Sequence, residues 1–148
     1  MGKSIITTHW FDPVLRMNYW LAVGLNLEEM KAYYKKTFGK HLERDDTPGA
    51  CMLHVLYKNK NDGRDSDGLV IWLPQWSDGG PSDVSALCHE CFHAMDFALK
   101  ACSVMFDQKG AEWNEPHAYY LGYLVRTCME AIEKRNKSVI CKHQLISL

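Results

Sequence analysis

No stretch of this 148-residue chain approaches the roughly 20 consecutive apolar residues that a membrane-spanning helix needs. The amino-terminal Met1-Gly2-Lys3-Ser4-Ile5-Ile6 lacks the long apolar core of a secretory signal, so the expected compartment is the cytoplasm and no membrane partner is expected. Runs of Lys or Arg are missing too. Seventeen basic residues against eighteen acidic ones leave a net charge of −1, which argues against a nucleic-acid partner bound through a basic stripe. There is no internal repeat and no low-complexity segment. With 47% apolar and 24% charged residues the composition is that of an ordinary globular domain, and residues 1–148 are expected to form one.

Six cysteines are present, at 51, 88, 91, 102, 128 and 141, but their placement does not suggest a disulfide framework. On a helix over 84–102, Val84, Leu87, Cys88, Cys91, Met95, Ala98 and Cys102 share one face, where free cysteine behaves as a small hydrophobe. The Cys88-x-x-Cys91 spacing also suits a zinc or redox pair, yet no second pair follows it.

Local signals outline the elements. Asn26 followed by Leu27-Glu28-Glu29 is a capping box. It opens a helix of about 13 residues whose apolar stripe is Leu27, Met30, Tyr33, Tyr34 and Phe38, and Gly39 ends it. Met17–Val23 reads as a strand or an extended segment on the core. Cys51–Tyr57 and Leu69–Leu73 read as strands joined by the loop Asn59–Gly68. The aspartates of that loop do not match a calcium-binding loop: with Gly68 at the glycine position, Gly63 and Pro74 fall at ligand positions. Gly79-Gly80-Pro81-Ser82-Asp83 marks a turn into a helix running to about Met105. After a connection at Asp107–Gly110, a further helix is expected over Glu115–Lys134. The tail Ser138–Leu148 is expected to add a strand or a docked extension.

The chemistry concentrates at His89-Glu90-Cys91-Phe92-His93, an H-E-x-x-H pattern. Helical residues four apart lie one turn above each other, so His89 and His93 can offer two imidazole nitrogens to one ion, each about 2.0–2.1 Å from zinc. Glu90 points about 100° away, placed to take a proton from water rather than to bind the metal. A catalytic site needs a third ligand. Glu115, in Asn114-Glu115-Pro116-His117-Ala118-Tyr119 at the start of the following helix, is the favoured candidate. Glu112 lies three residues earlier, and Asp96 falls on the His89/His93 face one turn beyond His93.

These two segments resemble the gluzincin branch of zinc metallopeptidases, in particular the minigluzincins that keep only the catalytic core. The resemblance covers Leu69 to Arg135, and the chain also has the flavour of small proteins encoded by phages and prophages, which would place it in a host cytoplasm or a virion. It implies an α+β fold in which a small, mostly antiparallel sheet packs on the H-E-x-x-H helix and a glutamate-bearing helix. It further implies a Zn2+ cofactor held by His89, His93 and Glu115, with Glu90 as general base acting on a peptide or protein substrate. His117, Tyr119 and Tyr120 are the candidate donors to the transition state. The strand Leu69–Leu73, with Trp72 and Trp76, is the candidate to hold an extended peptide. The chain departs from the thermolysin-like pattern at Tyr119, where an Asp would orient the first histidine; Asp96 or a backbone carbonyl would have to do so. His9, His41, His54 and His143 show no ligand spacing. Two functions therefore stand: a zinc-dependent peptidase or amidase, and a zinc-containing scaffold that binds a protein partner, as in phage assembly or host-factor binding.

Overall fold

The computed structural model describes residues 5–59, 62–104 and 114–146. The chain is α+β: strands β1 (Ile6–Asp12) and β2 (Met17–Val23), helix α1 (Leu27–Phe38), strands β3 (Cys51–Lys58) and β4 (Asp65–Leu73), then helices α2 (Pro81–Ala101) and α3 (Glu115–Ile146). The four strands form one mixed sheet in the order β1-β2-β4-β3. β1 pairs antiparallel with β2, β2 parallel with β4, and β3 antiparallel with β4.

The two central strands are apolar without alternation because both sheet faces are covered. Trp20, Ala22, Val70 and Trp72 point to one side, where Met30, Tyr34 and Phe38 of α1 pack on them. Tyr19, Leu21, Val23, Leu69, Ile71 and Leu73 point to the other, against Leu87, Cys91 and Met95 of α2 and Leu124, Cys128 and Ile132 of α3. The indole of Trp72 is fully buried and donates to the carbonyl of Leu25 at 2.9 Å. Gly68 lies beneath Trp20: a Cβ there would come within 2.4 Å of the indole, so the sheet and ring can approach only at a glycine.

The capping box forms as the sequence predicts. Asn26 accepts from the Glu29 amide at 2.9 Å, the Glu29 carboxylate accepts from the Asn26 amide at 2.7 Å, and Gly39 closes α1 in the left-handed conformation at φ 70°.

Four expectations change. The segment Leu69–Leu73 is not a place for an added strand: β4 lies between β2 and β3, its ladder filled on both sides, and Trp72 is core. β4 also begins at Asp65, so part of the expected loop is strand, with Lys58 facing Asp65 at 3.3 Å. Helix α2 stops at Ala101 rather than near Met105, since Ser103 adopts φ 61°. Finally, residues 138–146 continue α3 instead of forming a strand or a docked extension. The connection at Asp107–Gly110 lies outside the described residues. Among the described residues no helix is long and apolar enough to cross a membrane.

Candidate metal centre

Helix α2 starts from a loop that its own first turn holds in place. One oxygen of Asp83 accepts from the Ser77 amide at 2.9 Å, the Ser77 hydroxyl at 3.1 Å, the Asp78 amide at 3.1 Å and the Gly79 amide at 2.9 Å. Burial opposes the charged form of Asp83, but these donors outweigh it and hold the carboxyl below its usual range. The core face of α2 carries Leu87, Cys91, Ala94, Met95, Ala98 and Leu99, all buried. Of the three cysteines on the expected stripe only Cys91 is buried, whereas Cys88 is partly exposed and Cys102 exposed; Cys128, on α3, is buried as well.

The exposed face presents His89 and His93 with their Nε2 atoms 3.0 Å apart and their rings nearly perpendicular, at 82°. Two nitrogens bound about 2.0–2.1 Å from a tetrahedral ion lie roughly 3.3–3.4 Å apart, so the pair is within a few tenths of an ångström of a chelating geometry. The same spacing also suits an imidazole–imidazole hydrogen bond, with one ring donating and the other accepting. Glu90 turns inward beside them and is only 6% exposed. Among the described residues no protein group hydrogen-bonds its carboxylate. Glu90 and His89 share a cavity of about 310 Å³ with Ala50, Gln75, Trp76 and Asp83. On the other side of the pair, His93, Met52, Asp96, Phe97 and Lys100 line a second cavity of about 510 Å³. Edge strand β3 runs past both: Ala50 precedes it, Met52 is on it, and the His54 ring lies on Phe97 with centroids 4.3 Å apart.

The third ligand expected from the sequence is not brought to the histidines. The thiols of Cys91 and Cys128 meet where α2 packs on α3, and this contact and burial push the Cys91 thiol far above its usual range. Cys91 lies inside the H-E-x-x-H motif, so Cys128 marks the level of the histidines on α3. The helices are antiparallel: Cys102, at the end of α2, reaches the carbonyl of Leu15, beside the Asp12–Tyr120 contact near the start of α3. From Glu115 to Cys128 the axis rises about 20 Å at roughly 1.5 Å per residue, so exposed Glu115 lies beyond the C-terminal end of α2. His117, which is 3% exposed, and Tyr119, which is 76% exposed, share that end of α3 and are likewise not at the pair. Asp96 pairs with Lys100 at 2.7 Å. Glu112 lies outside the described residues. Among the described residues no three His, Cys, Asp or Glu side chains converge as a metal-holding group.

Tyr120 has a different task from donating to a transition state. Its hydroxyl donates to Asp12 Oδ2 at 2.6 Å and lies 2.8 Å from the Tyr19 hydroxyl, while Asp12 Oδ1 accepts from the Val14 and Leu15 amides at 2.7 and 3.1 Å. Burial, then the Asp12 and Tyr19 contacts, raise its pKa far above the ordinary tyrosine range, so it stays a donor. This tie joins the β1–β2 turn to α3. The Asp12-Pro13 pair signals the turn, but nothing in the sequence points to its partner 108 residues on. Set against models of known protein families, curated proteins and solved structures, the chain matches none.

Proposed function

We propose that this protein is a zinc-dependent hydrolase of peptide or amide bonds, centred on His89, His93 and Glu90. The observation that carries the reading is the two Nε2 atoms 3.0 Å apart, with the Glu90 carboxylate in the adjoining cavity and no protein donor spent on it among the described residues. Bound by the two imidazoles, zinc would supply Lewis acidity and draw a nucleophile from water near neutral pH. Glu90 accepts the proton of the attacking water and returns it to the leaving amine. The sheet edge that can align an extended substrate is β3, which passes both cavities, and not β4. Glu115 has no part in this reading, and the remaining coordination positions fall to groups beyond the described side chains.

A second reading is favoured by one feature: the histidine pair lies on the exposed face of α2 with no third protein ligand converging among the described residues. A structural zinc site is normally closed by four protein ligands. In this reading a protein partner completes the set, and the chain is a metal-bearing interaction module.

Elemental analysis for zinc, combined with cleavage of a peptide library by wild type and Glu90→Gln, tests the hydrolase. The expected result is bound zinc in both proteins and cleavage by the wild type alone. Bound zinc without cleavage by either favours the module, and absence of zinc from both removes the two readings together.

A further inference from the structure

The cavity beside His89 and Glu90 has a charge character that proton transfer alone does not require. Asp83 and Glu90 place two carboxylates on its wall, and no Lys or Arg among the described residues lines it. Asp83 is kept anionic by its four loop donors. Glu90 is only 6% exposed and lines this cavity, and no protein donor among the described residues is bound to its carboxylate, which leaves its oxygens for a donor entering the cavity. Arg44 stands nearby but does not line the cavity: its guanidinium is shared between the Cys51 thiol and Asp46, the latter at 3.2 Å.

The remaining wall suits a cation as well. Trp76 lines the cavity, and an indole face is the best aromatic partner for an ammonium or guanidinium. Gly79, at φ 80° and bonded to Asp83, borders the ring: a Cβ there would lie in ordinary van der Waals contact with the indole, at 3.6 Å. The volume, about 310 Å³, is at the small end of ligand cavities, enough for one residue of a substrate.

We propose that this cavity is the subsite for a positively charged group of the substrate, an ammonium or guanidinium carried by a Lys or Arg side chain or by the substrate's own amino terminus. Its place in a reaction rests on the hydrolase reading; the binding itself does not. A carboxylate offers about four acceptor positions, so Glu90 can hold the cation through one oxygen and keep the other for the proton of water.

The test uses the metal-free protein in EDTA, with binding read from the NMR shift of the Trp76 indole N–H, assigned by Trp76→Phe. Three probes separate the sources: N-acetyl-lysinamide carries only a side-chain cation, leucinamide only a terminal amine, and N-acetyl-norleucinamide is neutral. At least one cationic probe should bind about tenfold or more tightly than the neutral one, and the one that does identifies the source. That preference should disappear in Glu90→Gln and weaken with added salt. Ala86→Leu, which fills the cavity without changing its charge, should abolish binding. Equal affinity for the neutral probe, no shift with any probe, or a preference that survives either substitution overturns the proposal. Zinc content and peptide cleavage are scored separately, so a failed hydrolase reading leaves the binding result standing.

Discussion

Replacing Glu115 by Ala should leave zinc affinity almost unchanged, although Glu115 is the residue the sequence motif would nominate as third ligand. The expected size follows from the placement of α3. With about 20 Å of helix axis between Glu115 and the level of the histidines, its charge interacts with a divalent ion by roughly 0.4 kcal/mol in unscreened water. Physiological salt, with a Debye length of about 8 Å, reduces that to below roughly 0.1 kcal/mol, less than a factor of about 1.3 in Kd. His93→Ala removes one of two converging nitrogens 3.0 Å apart. Loss of a supporting contact outside the ligand set commonly costs about 10–100-fold in metal affinity, so loss of the ligand itself should cost more than about 100-fold. Competition against a chromophoric chelator at fixed pH measures both variants. If Glu115→Ala weakens zinc as His93→Ala does, then α3 must slide by several turns past α2 when metal binds, and the register set by Cys91 and Cys128 is not that of the metal-bound protein.

Three further outcomes follow from the packing. Gly68→Ala should destabilise the sheet by roughly 1–3 kcal/mol, read as a lower urea midpoint, because its Cβ would meet Trp20 at 2.4 Å. Tyr120→Phe removes a donor from buried Asp12 while leaving the Val14 and Leu15 amides in place. A hydrogen bond to a charged group contributes about 1.5–3 kcal/mol, so Tm should fall by roughly 4–10 °C, and a drop under about 1 °C would mean that Asp12 is satisfied without it. Asp83 has a depressed folded-state pKa, so its contribution is complete above the unfolded value near 3.8 and is lost as pH falls through the lower folded value. The stability gap between wild type and Asp83→Asn should therefore hold at pH 6 and close below pH 3.8; a gap that persists into strong acid would show that charge is not its source.

What the sequence made legible is what depends on neighbours along the chain. The Asn26–Glu29 box, the Gly39 stop and the facing of His89 and His93 are each settled within one or two helical turns, and all three appear in the structure. The interior place of β4 was legible in principle: Leu69–Leu73 is apolar at every position, whereas a one-sided edge strand would alternate. The length of α3 was legible too, for after Pro116 the chain contains no proline and only Gly122, so no breaker stands before Ile146. The third metal ligand was not. A Glu in the first turn of one helix reaches histidines midway along its antiparallel neighbour only if the first helix ends soon after the motif. Here α2 runs on from His93 to Ala101, and the thiol contact between Cys91 and Cys128 sets the level of α3. That register depends on core packing between small side chains, to which a short motif is blind. A pattern such as H-E-x-x-H followed by a glutamate therefore constrains chemistry at the pair and leaves the remainder of the coordination to be found by geometry.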